Sequence, residues 1–159
     1  MSHVSGGSLL DGVVGLLLDI DDTLLDTRAA FVRGLDAVAD VYLPHLDVAG
    51  RCDVLTLWRA DPSEFYRRHT RGELTQREQR LARANQIHEQ FGGPELDDAS
   101  FDAWNSVFTA GFEAGWVAHD DAVITVRTLA QAGFTLGALT NAPGAMSQRK
   151  LERMGLADV

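Results

Sequence analysis

The sequence predicts an α/β protein: a parallel sheet interrupted, right after its first strand, by a long helical insertion. Two observations carry this reading. Val13–Leu18 (VVGLLL) and Phe134–Asn141 (FTLGALTN) are short, continuous apolar runs of the kind expected of strands buried on both faces of a parallel sheet. Between them, residues 26–116 show only helical periodicity, so the order reads strand, helical excursion, helix, strand, helix.

The elements follow in order. Phe31, Leu35, Val38 and Tyr42 share one helical face, and Pro44 closes that helix. A mixed stretch with Leu55, Leu57 and Trp58 comes next. In TQRE, Thr75 and Glu78 stand at the spacing of a capping box, where each side chain satisfies a backbone N–H of the helix start. Behind it Leu81, Ala84, Ile87 and Phe91 mark an apolar face, ended by Gly92-Gly93. Phe101, Trp104 and Phe108 mark a further helix, to about Ala114; this aromatic spacing reads as packing, not as a cofactor box. Asp120-Asp121 caps a short helix with Val123, Val126 and Leu129 or Ala130 inward, and Gly133 stops it. Pro143 and Gly144 open the last helix, with Leu151 and Met154 inward and Gly155 behind. There are no internal repeats.

Composition narrows the function classes. The 159 residues suffice for one ordinary domain, or a small one carrying an insertion, and 45% hydrophobic with 23% charged content suits a soluble globular chain. A net charge of −9 argues against nucleic acid, whose phosphates need a basic footprint. The apolar runs are too short to span a bilayer and no signal-like segment opens the chain, so no membrane partner is expected. The opening MSHVSGGS reads as a polar, mobile tail. Cys52, the single cysteine, cannot form an internal disulfide, which fits a reducing cytoplasm. Without a histidine partner pattern it reads as filler rather than as a nucleophile. The five histidines lack metal-ligand spacing.

The chemistry concentrates where the first strand ends. LLLDIDDTLLDT places Asp19, Asp21 and Asp22 within four residues, although neighbouring carboxylates repel. They form either a solvated turn, with Asp22 or Thr23 capping a helix, or a site awaiting positive charge. Ligands of parallel α/β sheets bind outside the carboxyl ends of strands. The second strand ends in Thr140-Asn141, so neighbouring strands would line one crevice with both sets. Taken alone, Thr140-Asn141 reads equally well as a helix cap before Pro143. Carboxylate and carbonyl oxygens suit Mg²⁺, which keeps waters for phosphate contact. An aspartate can attack phosphorus, and a second carboxylate can move the proton. Hydroxyl and amide groups can hydrogen-bond the phosphoryl oxygens. Arg67, Arg68, Arg71, Arg77, Arg80 and Arg83, interleaved with Glu73 and Glu78, read as a solvated helix face. Arg80 and Arg83, three apart, are the candidates for substrate contact.

LLLDIDDTLLDT and LGALTNAP resemble the first two motifs of the haloacid dehalogenase-like (HAD) hydrolase superfamily. The helical insertion resembles the cap of its phosphatase branch. Trp58, Tyr66, Gly72, Leu74, Thr75 and Arg80 are similar to a pattern of its nucleotidase and sugar-phosphate phosphatase subgroup. The resemblance implies a Rossmann-like parallel-sheet core over 1–25 and 117–159, incomplete here, and a helical cap over 26–116. It implies that Asp19 is the nucleophile, Asp21 the general acid/base, Thr23 a loop support, and Thr140 with Asn141 the phosphoryl-binding pair. Asp19 and the backbone of Asp21 would contact Mg²⁺, and Asp26-Thr27 would serve as the hinge to the cap. Dehalogenases of the superfamily replace the second aspartate, since halide needs no protonation; Asp21 therefore favours phosphate-ester chemistry.

The family pattern continues with a third strand, a lysine in a Lys-Pro setting and a later acidic pair. The chain resembles the family without its C-terminal third. Lys150, the only lysine, lies ten residues past Thr140 on the last helix and does not match the family lysine's context. The expected function is a Mg²⁺-dependent phosphomonoesterase acting on a small phosphorylated metabolite through an aspartyl-phosphate intermediate. The alternative is a non-catalytic truncated remnant or interaction protein of the same fold. Self-association to cover the incomplete core is a further expectation. A receiver-type signalling domain is set aside, because Asp19 and Thr140 stand 121 positions apart rather than one βα unit.

Overall fold

In the computed structural model, which describes residues 12–159, two short strands pair in parallel at the two places the apolar runs mark. The polar opening stretch lies outside the described residues. Strand β1 is Gly15–Leu18 and β2 is Thr135–Ala138, in register Gly15↔Thr135 to Leu18↔Ala138. Seven helices are described: α1 Thr27–Tyr42, α2 Val48–Ala60, α3 Phe65–Thr70, α4 Gln76–Phe91, α5 Asp98–Ala114, α6 Ala122–Gln131 and α7 Gly144–Met154. Among the described residues no helix is long and apolar enough to cross a membrane.

The chain divides into two compact units. One comprises the described residues up to Thr27 together with Trp116–Val159, and the other is Arg28–Gly115. The second unit is all helix. Leu35, Val38 and Ala39 of α1, Val54 and Trp58 of α2, Ala84 and Ile87 of α4, and Phe101, Trp104 and Phe108 of α5 meet in its core. Spaced three or four apart on α5, Phe101, Trp104, Phe108 and Phe112 stack in a ladder, with successive ring centroids 5.9, 5.5 and 5.9 Å apart. Helices α1 and α5 cross closely because both carry glycine at the crossing. A Cβ on Gly111 would lie 2.7 Å from the Arg33 carbonyl oxygen and 2.8 Å from the Ala37 Cβ.

Local signals explain the helix ends. The Thr75–Glu78 capping box opens α4, and Gly92, with φ of 78°, closes it in the left-handed region. The mixed stretch around Trp58 is helix α2, capped by Asp47, whose side chain accepts from the Gly50 N–H. Asp97 and Ser100 make a second capping box at α5. Asp121 precedes α6 but makes no side-chain cap bond.

The strands of the first unit are not buried on both faces, contrary to the expectation from their apolar runs. Val14 is 84%, Leu17 71% and Leu139 65% exposed. The physical reason is the size of the sheet. Two strands and the helix packed on them, α6 against β2, half-bury one face, and Leu17 points to the other.

Candidate active site

The acidic turn is built around the carbonyl of Ile20, whose side chain is fully buried. The N–H groups of Leu24 and Leu25 donate to it at 3.0 and 2.9 Å. The chain turns there through Asp22, whose φ of 59° lies in the left-handed region that aspartate tolerates better than most residues. The Asp22 N–H donates to the Leu25 carbonyl at 3.0 Å and to Thr27 Oγ1 at 3.1 Å. The returning chain is clasped by the segment before α6: the Asp26 N–H donates to the Val117 carbonyl, and the His119 N–H to the Leu24 carbonyl. Leu25 and Ala118 pair as an antiparallel bridge.

Register then decides what shares an edge. Leu18 stands opposite Ala138, and the Leu139 N–H donates to the Leu18 carbonyl at 2.9 Å. Asp19 and the Leu139-Thr140-Asn141 segment therefore leave the sheet side by side, at the carboxyl ends of both strands. Asp19, Thr23 and Asn141 are exposed to solvent, while Asp21 and Thr140 are half-buried. Thr140 Oγ1 accepts from the Ala142 N–H at 3.1 Å, which shapes the turn into α7.

Asp21 is held by two side chains. Its Oδ1 accepts from Thr27 Oγ1 at 3.2 Å and from Lys150 Nζ at 2.5 Å. The lysine side chain is 3% exposed and the aspartate 35%. Lys150 lies on the inward face of α7 with Ser147 and Met154, and its ammonium stands 5.9 Å from the centroid of the Trp116 ring. The inward face of α7 is thus Ser147, Lys150 and Met154, with Leu151 half-buried. The family's Lys-Pro context gives no reason to connect Lys150 to the acids. The signal that could have found it is helical spacing: three past Ser147 and four before Met154, it shares their face.

Arg80 and Arg83 belong to the helical unit and are engaged there. The Arg83 guanidinium lies 3.7 Å from the centroid of the Trp58 ring, donates to the Trp58 carbonyl, and stands 3.8 Å from Asp61. Burial pulls its pKa down to about 10, against the pull of Asp61, so it stays charged at neutral pH. Arg80 donates to Asn105 Oδ1 at 2.9 Å and lies over the Phe108 ring. Arg67, Arg68, Arg71 and Arg77 pair with Glu64, Glu73, Asp98 and Asp102 on the surface, as a solvated face does.

Among the described residues, no three histidine, cysteine, aspartate or glutamate side chains gather into a group that could hold a metal ion. The donor chemistry at the strand ends therefore fits Mg²⁺ only in sparse form, with one or two protein oxygens and the rest of its shell from phosphate and water.

No family model and no curated protein matches the sequence. Solved structures do. The HAD-hydrolase YfnB from Bacillus subtilis, described as bound to magnesium, matches with a TM-score of 0.69 and 23% identity, over 91% of this chain and 59% of its own. A dehalogenase matches at 0.60 and 20%, over 94% of this chain and 61% of its own. The L-2-haloacid dehalogenase from Xanthobacter autotrophicus matches at 0.61 and 18%, over 92% and 54%. This chain thus spans between 54% and 61% of the length of these structures. Shared topology across more than nine-tenths of its residues shows that the chain has the fold of the haloacid dehalogenase-like hydrolases.

Proposed function

We propose that the chain carries the nucleophile-bearing part of a phosphomonoesterase that acts on a small phosphorylated metabolite. The observation that supports this most is the register of β1 and β2, which brings Asp19–Asp21 and Thr140-Asn141 to one sheet edge. In this reading the Asp19 carboxylate attacks phosphorus while the bond from phosphorus to the leaving oxygen breaks. Asp21 delivers a proton to that oxygen, then takes one from the water that hydrolyses the aspartyl-phosphate. Thr27 and Lys150 both bind Oδ1 of Asp21, so the proton traffic falls to Oδ2. Thr140 and Asn141 hydrogen-bond the phosphoryl oxygens, and the wound turn behind Thr23 holds the acids in place.

Mg²⁺, carried over from the family resemblance and from the magnesium-bound neighbour, would lie against Asp19 and the backbone of Asp21 and offset phosphate charge. The presence of Asp21 favours phosphate esters over halides, although dehalogenases share the fold. Arg80 and Arg83 would act on substrate only indirectly, by shaping the helical unit as the cap. An acidic chain with one exposed, unpaired cysteine fits a reducing cytoplasm and no nucleic-acid or membrane partner. The second reading, a non-catalytic or interaction protein, draws support from the open sheet face around Leu17, which a second copy could cover.

The test is release of phosphate from p-nitrophenyl phosphate by the purified chain in MgCl₂, beside Asp19→Asn. Turnover lost in the variant supports the phosphatase reading. Equal rates in both, or none in either, favour the second reading.

A further inference from the structure

We propose that Lys150 is a positioning residue for Asp21. Its ammonium and the Thr27 hydroxyl occupy one carboxylate oxygen, fix the side chain and leave the other oxygen for proton transfer. This deepens the function proposed above and rests on its assignment of the proton step to Asp21.

A lysine side chain only 3% exposed must be paired, because a buried unpaired ammonium is costly. Lys150 is the only lysine of the chain, and its Nζ donates to Asp21 Oδ1 at 2.5 Å from 129 positions away. The Thr27 hydroxyl donates to the same oxygen at 3.2 Å. Its direction is set, because its own oxygen accepts from the Asp22 N–H at 3.1 Å. Two donors use up the two lone-pair positions of one carboxylate oxygen. An aspartate without such contacts exchanges among staggered rotamers, whereas a turn about the Cα–Cβ bond of Asp21 would break both bonds at once. The lysine also acts at a second place. Helix α7 begins directly behind the Thr140-Asn141 turn, and Lys150 stands on its inward face with Ser147 and Met154. The register of β1 and β2 brings that turn to the acids from the strand side, and the Lys150–Asp21 bond ties the two from the helix side. Misplacement of a reacting group by about 1 Å can cost about a hundredfold in rate. Nothing in this role requires Lys150 to touch substrate, since it acts through Asp21.

The experiment reads the Asp21 side chain directly, by three-bond couplings in the isotope-labelled full chain, as wild type and as Lys150→Met. Methionine keeps most of the stem and removes the ammonium. The wild type is expected to hold Asp21 in one χ1 rotamer, and Lys150→Met to average over several while its helical circular dichroism stays unchanged. One rotamer in both chains, or averaging already in the wild type, overturns the proposal. Where the wild type hydrolyses β-glycerol phosphate, whose alkoxide leaving group needs the proton, the variant is expected to lose at least about tenfold in kcat with KM within about twofold. An unchanged kcat overturns the proposal. If Lys150→Met fails to fold, the wild-type chain labelled with ¹⁵N-lysine decides. Its single ammonium signal is expected to couple across the hydrogen bond to the Asp21 carboxyl carbon, and an uncoupled, rapidly exchanging signal overturns the proposal. An Asp21 rotamer that Lys150→Met sets free, without phosphate release by the wild type, keeps Lys150 as the residue that orients Asp21 and sinks the phosphatase reading.

Discussion

The two units of this chain solve the burial problem in opposite ways. In the helical unit, an aromatic ladder along α5 fills the interior, and Phe101, Trp104 and Phe108 are each at most 1% exposed. In the strand unit, Leu17 and Leu139, as apolar as any of these, stand largely in solvent. Helices can close a core among themselves, because each brings its own backbone partners and needs only one covered face. A parallel strand pair cannot, since it offers two faces and two edges. The strand unit buries a smaller apolar set, among it Ile20, Leu25, Trp116, Val126 and Leu156, and adds polar ties to it: the Ile20 carbonyl turn, the clasp at Leu24–Asp26, and Lys150 on Asp21.

That contrast can be tested by substitution. The largest effect is expected for Trp104→Ala, which empties the middle of the ladder and strands the His88 ring nitrogen that accepts from the Trp104 Nε1–H at 3.1 Å. A loss of about 3–5 kcal/mol is expected in urea unfolding followed by helical circular dichroism. Next comes Gly111→Val, which drives carbon into the α1 backbone at the closest crossing. It should cost at least about 1–3 kcal/mol by the same measurement.

A smaller, pH-dependent effect belongs to His88. Burial lowers its pKa, opposed by the hydrogen bond to the Pro94 carbonyl, and the Trp104 contact also suits the neutral ring. The unfolded chain takes up that proton near pH 6.5 while the folded chain resists it. Stability carried by the neutral ring is thus fully present above about pH 6.5 and falls as the pH drops below it. Melting curves from pH 7.5 to 5 should show the decline, and His88→Gln should flatten it. Least affected should be Leu17→Thr, within about 0.5 kcal/mol of wild type, because the side chain is already in water. A large loss there would mean that the open face is covered in solution.

Much of the fold was legible because its signals are local. The apolar runs gave both strands to within a few residues, Thr75 with Glu78 marked a helix start, and Gly92 and Gly155 marked two ends. The α/β class and its likeness to the hydrolase fold could be read from the same runs and the aspartates behind them. Burial of the strands was not legible, since a continuous apolar run tells what a strand prefers and not what is present to cover it. Helices α2 and α3 fell inside the stretch read as helical but were not delimited, because the apolar residues of α2 are spread around the helix, with only Val54 and Trp58 buried, and α3 has only six residues. The candidate site was half visible. Asp19, Asp21 and Thr140-Asn141 announce themselves by type and position at strand ends. Lys150 does not: its spacing from Met154 puts it on the inward face of α7, but its partner lies across the fold, 129 positions away.

The clasp formed by Leu24–Asp26 with Val117–His119 bears on how this chain folds. The departure and return points of the inserted residues 28–115 are hydrogen-bonded to each other, so the insertion begins and ends at one spot. Closing so long a loop costs only logarithmically more than closing a short one. To the strand unit, the length of what is inserted there is then almost a matter of indifference. The order of events is not. Gly15 and Thr135 are far apart in the chain, so the sheet is expected to close sooner once the intervening helices have gathered, an order that stopped-flow circular dichroism beside fluorescence would test.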